Sequence, residues 1–499
     1  MQQFLSNVGG ISLRQVLTDG HFIGAPDVRL TACCTDPESC RAGDLFVATV
    51  GDDGDTHEQA ADAVRRGAAA VLAERLLPVG VPVCVVPDTR EALGRVCQTL
   101  AGNPSQNVRV IGVSGTNGKT TTATLIASVL RAAQQRVGVT TTLGRCDAFE
   151  SAPAPQTTPS PQELADWLAR MGANGCTHGV VEVSGRGLSQ KRLAGVQLQA
   201  AVMTNIRRDH LDYHGSVLNY RRTQARLFEH LGSAGFAVIN ADDPASQKLL
   251  KSLSCPIITV GMRQPAELTA CVIERHKSEQ TFLLSGGTDT VPVRTRMIGD
   301  HHVSNCLAAA AVGLVMGMEL TTIARGLEAV QRLPARLDRI ECGQEFGVYI
   351  DCADTPDRLA VSLRSLRQVT PGRVLCVYGP AGVRLRAERP LLGRVVEQGA
   401  DLGVITSGPS IRENSLQVAH DVLDGYQRPA RAHIIPTRSH AIQWALQEAR
   451  PGDTVLIAGG DRSSSSRSRE AAAADTEIAR SWLYQASPTN ETSILGAFG

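Results

Sequence analysis

Eleven consecutive residues, Gly112-Val113-Ser114-Gly115-Thr116-Asn117-Gly118-Lys119-Thr120-Thr121-Thr122, have the types and order needed to wrap an anion. Glycines let backbone N–H groups turn inward around a phosphate, and a helix that starts at the loop adds its positive dipole end. In such a loop Lys119 reaches the β- and γ-phosphates and Thr120 offers its hydroxyl to Mg²⁺. Gly115, Thr116, Asn117, Gly118, Lys119, Thr120 and Thr121 are therefore the expected ATP cradle. The strict spacing wants a glycine five residues before Gly118, where Val113 stands; Gly112 is one residue too early. The context restores the reading. Val108 to Val113 is an apolar run that reads as a buried strand, and Ala123 to Ala133 has helical spacing. Strand, glycine turn, helix marks a nucleotide-binding fold.

The elements around the loop alternate in the same way. In the first stretch, Gly43 to Ala48, Ala68 to Leu72 and Val81 to Val86 read as strands. Ala60 to Gly67 and Thr89 to Leu100 read as helices. Asn103-Pro104-Ser105-Gln106 looks like a linker. Farther on, Gly179 to Val183, Ala200 to Thr204 and Ala237 to Asn240 are strand-like, with helical stretches at Pro161 to Met171 and Val217 to Leu231. Near-continuous apolar strands separated by helices imply an α/β fold with a mainly parallel, covered sheet, whose ligands sit at the carboxyl ends of the strands. Glu182 and the Thr204-Asn205 pair then share a rim with the phosphate loop. Val374 to Tyr378, Gly403 to Ser407 and Thr454 to Gly459 repeat the theme. Ser463 to Arg469, without an apolar residue, reads as a mobile loop before a closing helix from Glu470 to Tyr484. At about 150 residues per domain the length predicts three. The divisions fall at 1–107, 108–333 with the central ATP-binding sheet, and 334–499.

Composition narrows the function classes. Fifty basic residues stand against 49 acidic ones in a chain of 499, a net charge of +1, so neither a nucleic-acid nor a membrane surface is expected. No run of about 20 apolar residues could span a bilayer, and Met1 to Leu13 lacks the basic start and apolar run of a signal peptide. Thirteen cysteines occur without a Cys-x-x-Cys pair, which argues for reduced, mostly buried thiols and a cytoplasmic protein.

Several further motifs line up in order: Thr157-Thr158-Pro159, Glu182-Val183-Ser184, Thr204-Asn205, Asp209-His210-Leu211-Asp212-Tyr213-His214-Gly215 and Asn240-Ala241-Asp242-Asp243. With the phosphate loop, Pro334-Ala335-Arg336-Leu337 and Thr355-Pro356-Asp357, they resemble the Mur ligase family, most closely the members that add the third residue of the peptidoglycan stem peptide. The resemblance covers essentially the whole chain. It implies an N-terminal domain for the UDP-sugar, a central ATPase and a Rossmann-like C-terminal domain. It also implies a reaction: ATP phosphorylates a substrate carboxylate, and an amino acid's amine then attacks the acyl phosphate. By the same resemblance Lys119, Glu182 and His210 are catalytic, and Thr120, Glu182 and His210 hold Mg²⁺. Asn305, Arg336 and Asp351 join the ATP site. Thr157, Thr158, Ser184, Gln190, Arg192, Arg384 and Arg389 bind a UDP-N-acetylmuramoyl-peptide-like substrate, the enzyme acting as a monomer.

Departures from the family pattern cluster at ligand-facing positions. The lysine that is carbamylated in the family to hold a second Mg²⁺ is Gln224, which offers at best one neutral carbonyl oxygen, so that ion is expected to be weakly held and phosphoryl transfer slow. Ser-Ser-His-Ala-Leu has become Ser184-Gly185-Arg186-Gly187-Leu188. The adenine-contacting Asn is His302, Tyr-Ala-His is Cys352-Ala353-Asp354, and Gly-Gly-Asp-Arg-Asp is Ala381 to Leu385. Diaminopimelate-adding members read Asp-Asn-Pro-Arg and Gly-Lys-Gly-His-Glu, against Gly408-Pro409-Ser410-Ile411 and Gly459-Gly460-Asp461-Arg462-Ser463 here. The N-terminal Asp-Ser-Arg is Asp36-Pro37-Glu38. Two readings follow: an ATP-dependent amide ligase with an altered acceptor and metal site, or a catalytically impaired paralogue that holds nucleotide or precursor in a regulatory or scaffolding role.

Overall fold

The computed structural model describes residues 10–51, 54–209, 211–380, 386–408, 414–459 and 465–486. Its strands gather into three main sheets that follow one another along the chain. The first orders His21–Ile23, Val83–Val85, Ala70–Ala73, Leu45–Val47 and Cys33–Cys34, antiparallel only at the first pair. The third orders Asp338–Arg339, Gly347–Asp351, Thr454–Ala458, Val374–Tyr378, Leu402–Ile405 and Ala432–Ile434, again parallel apart from its first pair.

Between them lies an eleven-stranded sheet. Arg109–Ser114, the strand that leads into the phosphate loop, runs parallel between His178–Glu182 and Leu198–Met203, with Val113 opposite Glu182 and Ser114 opposite Met203. Three strand ends are thereby brought level, and the residues just beyond them meet. Both faces are covered, one by the helices Lys119–Ala132 and Asp300–Val315, the other by Pro161–Ala173 and the Val217–Ala225 segment. That cover is why these strands are apolar on both sides and legible as continuous runs.

The same sheet is less uniformly parallel than its sequence suggests. Leu268–Arg275, Gln280–Gly286 and Asp289–Thr295 extend it as an antiparallel meander, and Gly144–Cys146 with Ser151–Ala152 fringe its other edge. The meander covers the core with one face only, so buried and exposed positions alternate along it, and its short apolar stretch Ala270 to Ile273 includes exposed Cys271 and Ile273. Two loop readings are corrected as well. Ser465 to Arg469 belong to the helix Ser465–Ala486, and the supposed linker is a compact 3₁₀ turn, Pro104–Gln106. Asn103 takes a left-handed conformation there, and Val108 N–H donates to the Pro104 carbonyl at 2.9 Å.

All thirteen cysteines are free, with the Cys33 and Cys97 sulfurs 3.7 Å apart. Among the described residues no helix is long and apolar enough to cross a membrane.

His178, at the start of a central strand, is 3% exposed, and burial with help from Arg109 pushes its imidazole down to about 4. An unfolded histidine takes its proton near 6.5, so between those values the unfolded chain binds the extra proton and stability falls as pH falls. At pH 5 the expected loss from this residue is about 2 kcal/mol. Denaturant titrations at pH 7 and pH 5 measure it; a His178→Gln variant that loses as much would assign the pH dependence to other groups.

Candidate active site

The phosphate loop is fixed by the residues that follow the neighbouring strand. Thr204 Oγ1 donates to the Asn117 carbonyl at 2.6 Å, and Asn205 Nδ2 donates to the same carbonyl at 3.0 Å. In return Asn117 N–H donates to Asn205 Oδ1 at 3.1 Å and Thr116 N–H to the Asn205 carbonyl at 2.8 Å. Tyr220 and Arg207 hold the Thr116 hydroxyl from the far side. The loop has room for no more atoms on that side. A Cβ on Gly115, at φ +133°, would stand 2.2 Å from Thr204 Oγ1; one on Gly118, at φ +84°, would stand 2.2 Å from Asn305 Oδ1. Both positions require glycine twice over, for conformation and for space.

Glu182 closes the floor. Its Oε1 accepts from Thr120 Oγ1 and Thr142 Oγ1, both at 3.0 Å, and its Oε2 from Thr142 N–H at 2.8 Å. Thr142 was not foreseen, although it follows the strand Val137–Thr141, which ends on the same rim. Thr157 meets the Thr142 hydroxyl at 3.2 Å. Buried Thr158 shares a hydrogen bond with Ser184 Oγ at 3.1 Å and accepts from Ser184 N–H at 2.8 Å. Gln190 and Arg192 sit behind this group: the Gln190 carbonyl accepts from Arg192, whose NH1 donates to the Thr158 carbonyl at 2.6 Å. Thr157 and Ser184 line the cavity above the loop; Gln190 and Arg192 do not.

That cavity, about 880 Å³, is lined from the central sheet, the third sheet and the final helix together. Asn305, His302, Arg336 and Asp351 all reach it. Arg336 NH2 donates to Thr120 Oγ1 at 3.4 Å, and its NH1 reaches the Ala335 carbonyl and the Cys352 sulfur. Asp351 accepts from the N–H groups of Leu337 (2.9 Å) and Ala353 (2.7 Å), so its carboxylate shapes the turn that carries Arg336. Burial pushes its carboxyl up, with Arg336 opposing. His302, in the expected adenine-contacting place, is 2% exposed and held well below the usual histidine range by burial and its cationic neighbours, hence neutral.

Arg358, absent from the expected site, is the largest surprise. It stands in the first turn of the helix Pro356–Arg367 and crosses to the phosphate loop, donating from Nε to Asn117 Oδ1 at 2.8 Å. Only its position behind a helix cap could have drawn notice, because nothing local in the sequence places it beside Asn117, 241 positions away.

Other expected residues are not brought to the cavity. Arg389 is 2% exposed and donates to Asp421 at 2.8 Å inside the third unit, away from the cavity lining. His210 and Arg384 lie outside the described residues, as do 381–385, 409–413 and 460–464. Gln224 is corrected. It is fully buried, does not line the cavity, and its carbonyl lies 2.7 Å from Ser114 Oγ, from which it accepts a hydrogen bond. Thr120 and Glu182, by contrast, present the oxygen donors a hard dication takes.

Lys119 Nζ folds back onto the carbonyls of Gly115 (2.8 Å) and Thr116 (2.9 Å). Burial, then the charge of Arg358, pushes its ammonium down to about 8, against the pull of Glu182 and Asp209. A bound polyphosphate supplies negative charge and raises that value, so nucleotide binding takes up a proton above pH 8 and affinity falls as pH rises through it. Calorimetry at pH 8.5 in buffers of different ionisation enthalpy should detect the uptake. Lys119→Ala should abolish it and weaken ATP binding about 10- to 100-fold, the worth of a charged hydrogen bond. Equal affinities would refute the assignment.

Comparison with known proteins gives the arrangement its relatives. Residues 113–313 match the Mur ligase middle domain and residues 335–460 the Mur ligase, glutamate ligase domain. A UDP-N-acetylmuramoyl-L-alanyl-D-glutamate–2,6-diaminopimelate ligase of Geobacillus thermodenitrificans is 38% identical over 446 residues, 88% of this chain and 91% of that protein. Its namesake from Gloeobacter violaceus is 35% identical, covering 87% and 89%. A solved structure of a ligase of the same name aligns with a TM-score of 0.68 at 27% identity, over 95% of this chain and 99% of that one. With two matched domains and relatives this similar over nearly their whole length, the chain belongs to the Mur ligase family of ATP-dependent ligases.

Proposed function

We propose that this protein joins an amino acid to a UDP-N-acetylmuramoyl-dipeptide in peptidoglycan synthesis, using ATP and forming an acyl phosphate. The observation that carries the reading is Glu182, buried at the loop's floor with both oxygens engaged by Thr120 and Thr142, inside a cavity open to the third unit. The relatives named above carry the substrate in their names.

The chemical difficulty is charge. A carboxylate oxygen must attack the γ-phosphorus, so two anions are forced together, and the protein's work is positioning and neutralisation. Lys119, Arg336 and Arg358 bring fixed cations to the cavity. Thr120 and Glu182 fit one Mg²⁺, which when bound screens the phosphate oxygens. His210 is the third ligand implied by the family pattern. Once the carboxylate–phosphorus bond forms and ADP leaves, the acceptor amine attacks the acyl carbon, the amide forms and phosphate departs. The enzyme is taken to act as a monomer, and a cytoplasmic setting suits an enzyme that consumes ATP and a UDP-linked precursor.

The acceptor is where this chain parts from its relatives. Gly408 to Ile411 stand where diaminopimelate-adding members of the family read Asp-Asn-Pro-Arg, so the arginine that clamps the distal carboxylate is missing from its family position, with Arg412 one residue beyond it as a partial substitute through a loop shift. ADP release should require both UDP-N-acetylmuramoyl-dipeptide and an amino acid, with diaminopimelate among the poorest of a panel of acceptors. No ADP with any pair would overturn the ligase reading; ordinary turnover with diaminopimelate would overturn only the acceptor reading.

A further inference from the structure

Arg358 is held by all of its surroundings at the edge of the phosphate loop. Thr355 caps its helix, accepting from Arg358 N–H at 3.2 Å, and so aims the first turn at the central unit. The side chain then spans two units. Its Nε is anchored on Asn117 Oδ1 at 2.8 Å. The remaining contacts are looser: NH1 to Asp354 Oδ1 at 3.2 Å, NH2 to Asp209 Oδ2 at 3.2 Å and to the Thr116 carbonyl at 3.4 Å. Charge-assisted bonds to carboxylates normally close to about 2.7–2.9 Å, so the two to Asp354 and Asp209 are long, and the guanidinium has room to share its NH1 and NH2 with phosphate oxygens. Arg358 also lines the cavity, beside Lys119.

The same geometry bears on the number of metal ions. Gln224 gives its carbonyl to Ser114, and Asp209, a carboxylate on this side of the loop, is engaged by Arg358. A second dication seeking Asp209 would have to share it with a guanidinium. Among the described residues, neither of these two groups gives a second metal a free oxygen at the loop's edge, and a positive charge at that place is already covalently attached to the chain.

We propose that Arg358 is the cation, delivered from the third unit, that touches the phosphoryl group in transfer, and that the site works with a single divalent metal ion. The role deepens the ligase reading and rests on it. Because the arginine arrives only when the third unit lies against the loop, transfer is tied to that contact, as with arginines supplied across an interface to other phosphoryl-transfer sites.

Two measurements decide the matter. Electron paramagnetic resonance of the wild type with a non-hydrolysable ATP analogue and Mn²⁺ needs no acceptor, so it stands even if the ligase reading fails. One Mn²⁺ per chain is expected, and two tightly bound ions would overturn the single-metal claim. In single-turnover ADP formation with the productive substrates, Arg358→Ala should lose at least about 100-fold in rate. Its affinity for the analogue should change less than about fivefold. Added guanidinium should restore part of the rate, and Arg358→Lys, which keeps a charge, should fall between. A loss under threefold overturns the proposal. So does a loss without rescue in which analogue affinity and thermal stability fall in step, which would make Arg358 an inter-unit strut; if Arg358→Ala does not fold, Arg358→Gln with guanidinium gives the same reading.

Discussion

A phosphate loop works only if its backbone is set before an anion arrives, and here that constraint is met by a pair of residues just beyond the next strand. Thr204 and Asn205 both bind the Asn117 carbonyl, turning it away from the cradle, while Asn205 accepts the N–H groups of Asn117 and Thr116. The pair is itself held: the Thr204 carbonyl accepts from Asn240 Nδ2 at 2.9 Å, and Ile206 N–H donates to Asp243 at 3.0 Å. Each strand end thus steadies the one before it. The parallel register that sets the ends level is what makes this relay possible.

Much of this is legible in the chain because it is written locally. The loop, the Thr204-Asn205 pair and Asn240 to Asp243 each follow an apolar run that ends at the rim, so a parallel sheet predicts their meeting. What stays hidden depends on which unit faces which. Arg358 and Arg389 look alike as arginines near helix starts; one reaches Asn117 and the other folds into its own unit against Asp421. The antiparallel meander from Leu268 to Thr295 escapes notice for a different reason, since it is covered on one face and its apolar stretches, Ala270 to Ile273 and Phe282 to Leu284, are short. The Ser/Arg stretch shows the reverse error: polar residues at 465–469 suggested a loop where helical backbone continues into the apolar spacing beyond.

Gln224 illustrates how a substitution is misread when only reach and charge are compared. Reach suggested a weak metal ligand, but the side chain lies on a segment packed under the loop, and the buried hydroxyl of Ser114 takes its carbonyl. Its Nε2 and His214 Nε2 come to opposite sides of one small space, where a Cβ on Gly185 would stand 3.1 and 3.3 Å from them. The change at 224 and the small residue at 185 are thus neighbours in space. They alter the packing beneath the loop as well as its charge.

The electrostatics of the cavity follow from the same economy. Lys119, Arg336 and Arg358 are cations confined to one partly buried space, and alone they would repel each other strongly at low effective dielectric. Carboxylates keep them there: Glu182 and Asp209 pull on Lys119, Asp209 and Asp354 hold Arg358, and Asp351 sits beside Arg336. Those carboxylates come from two units, Glu182 and Asp209 from the central one and Asp351 and Asp354 from the third, so these charges meet only while the units are together. A polyphosphate adds negative charge for which the three cations compete. Nucleotide and inter-unit contact should therefore reinforce each other through shared charge, without any need for the loop itself to move.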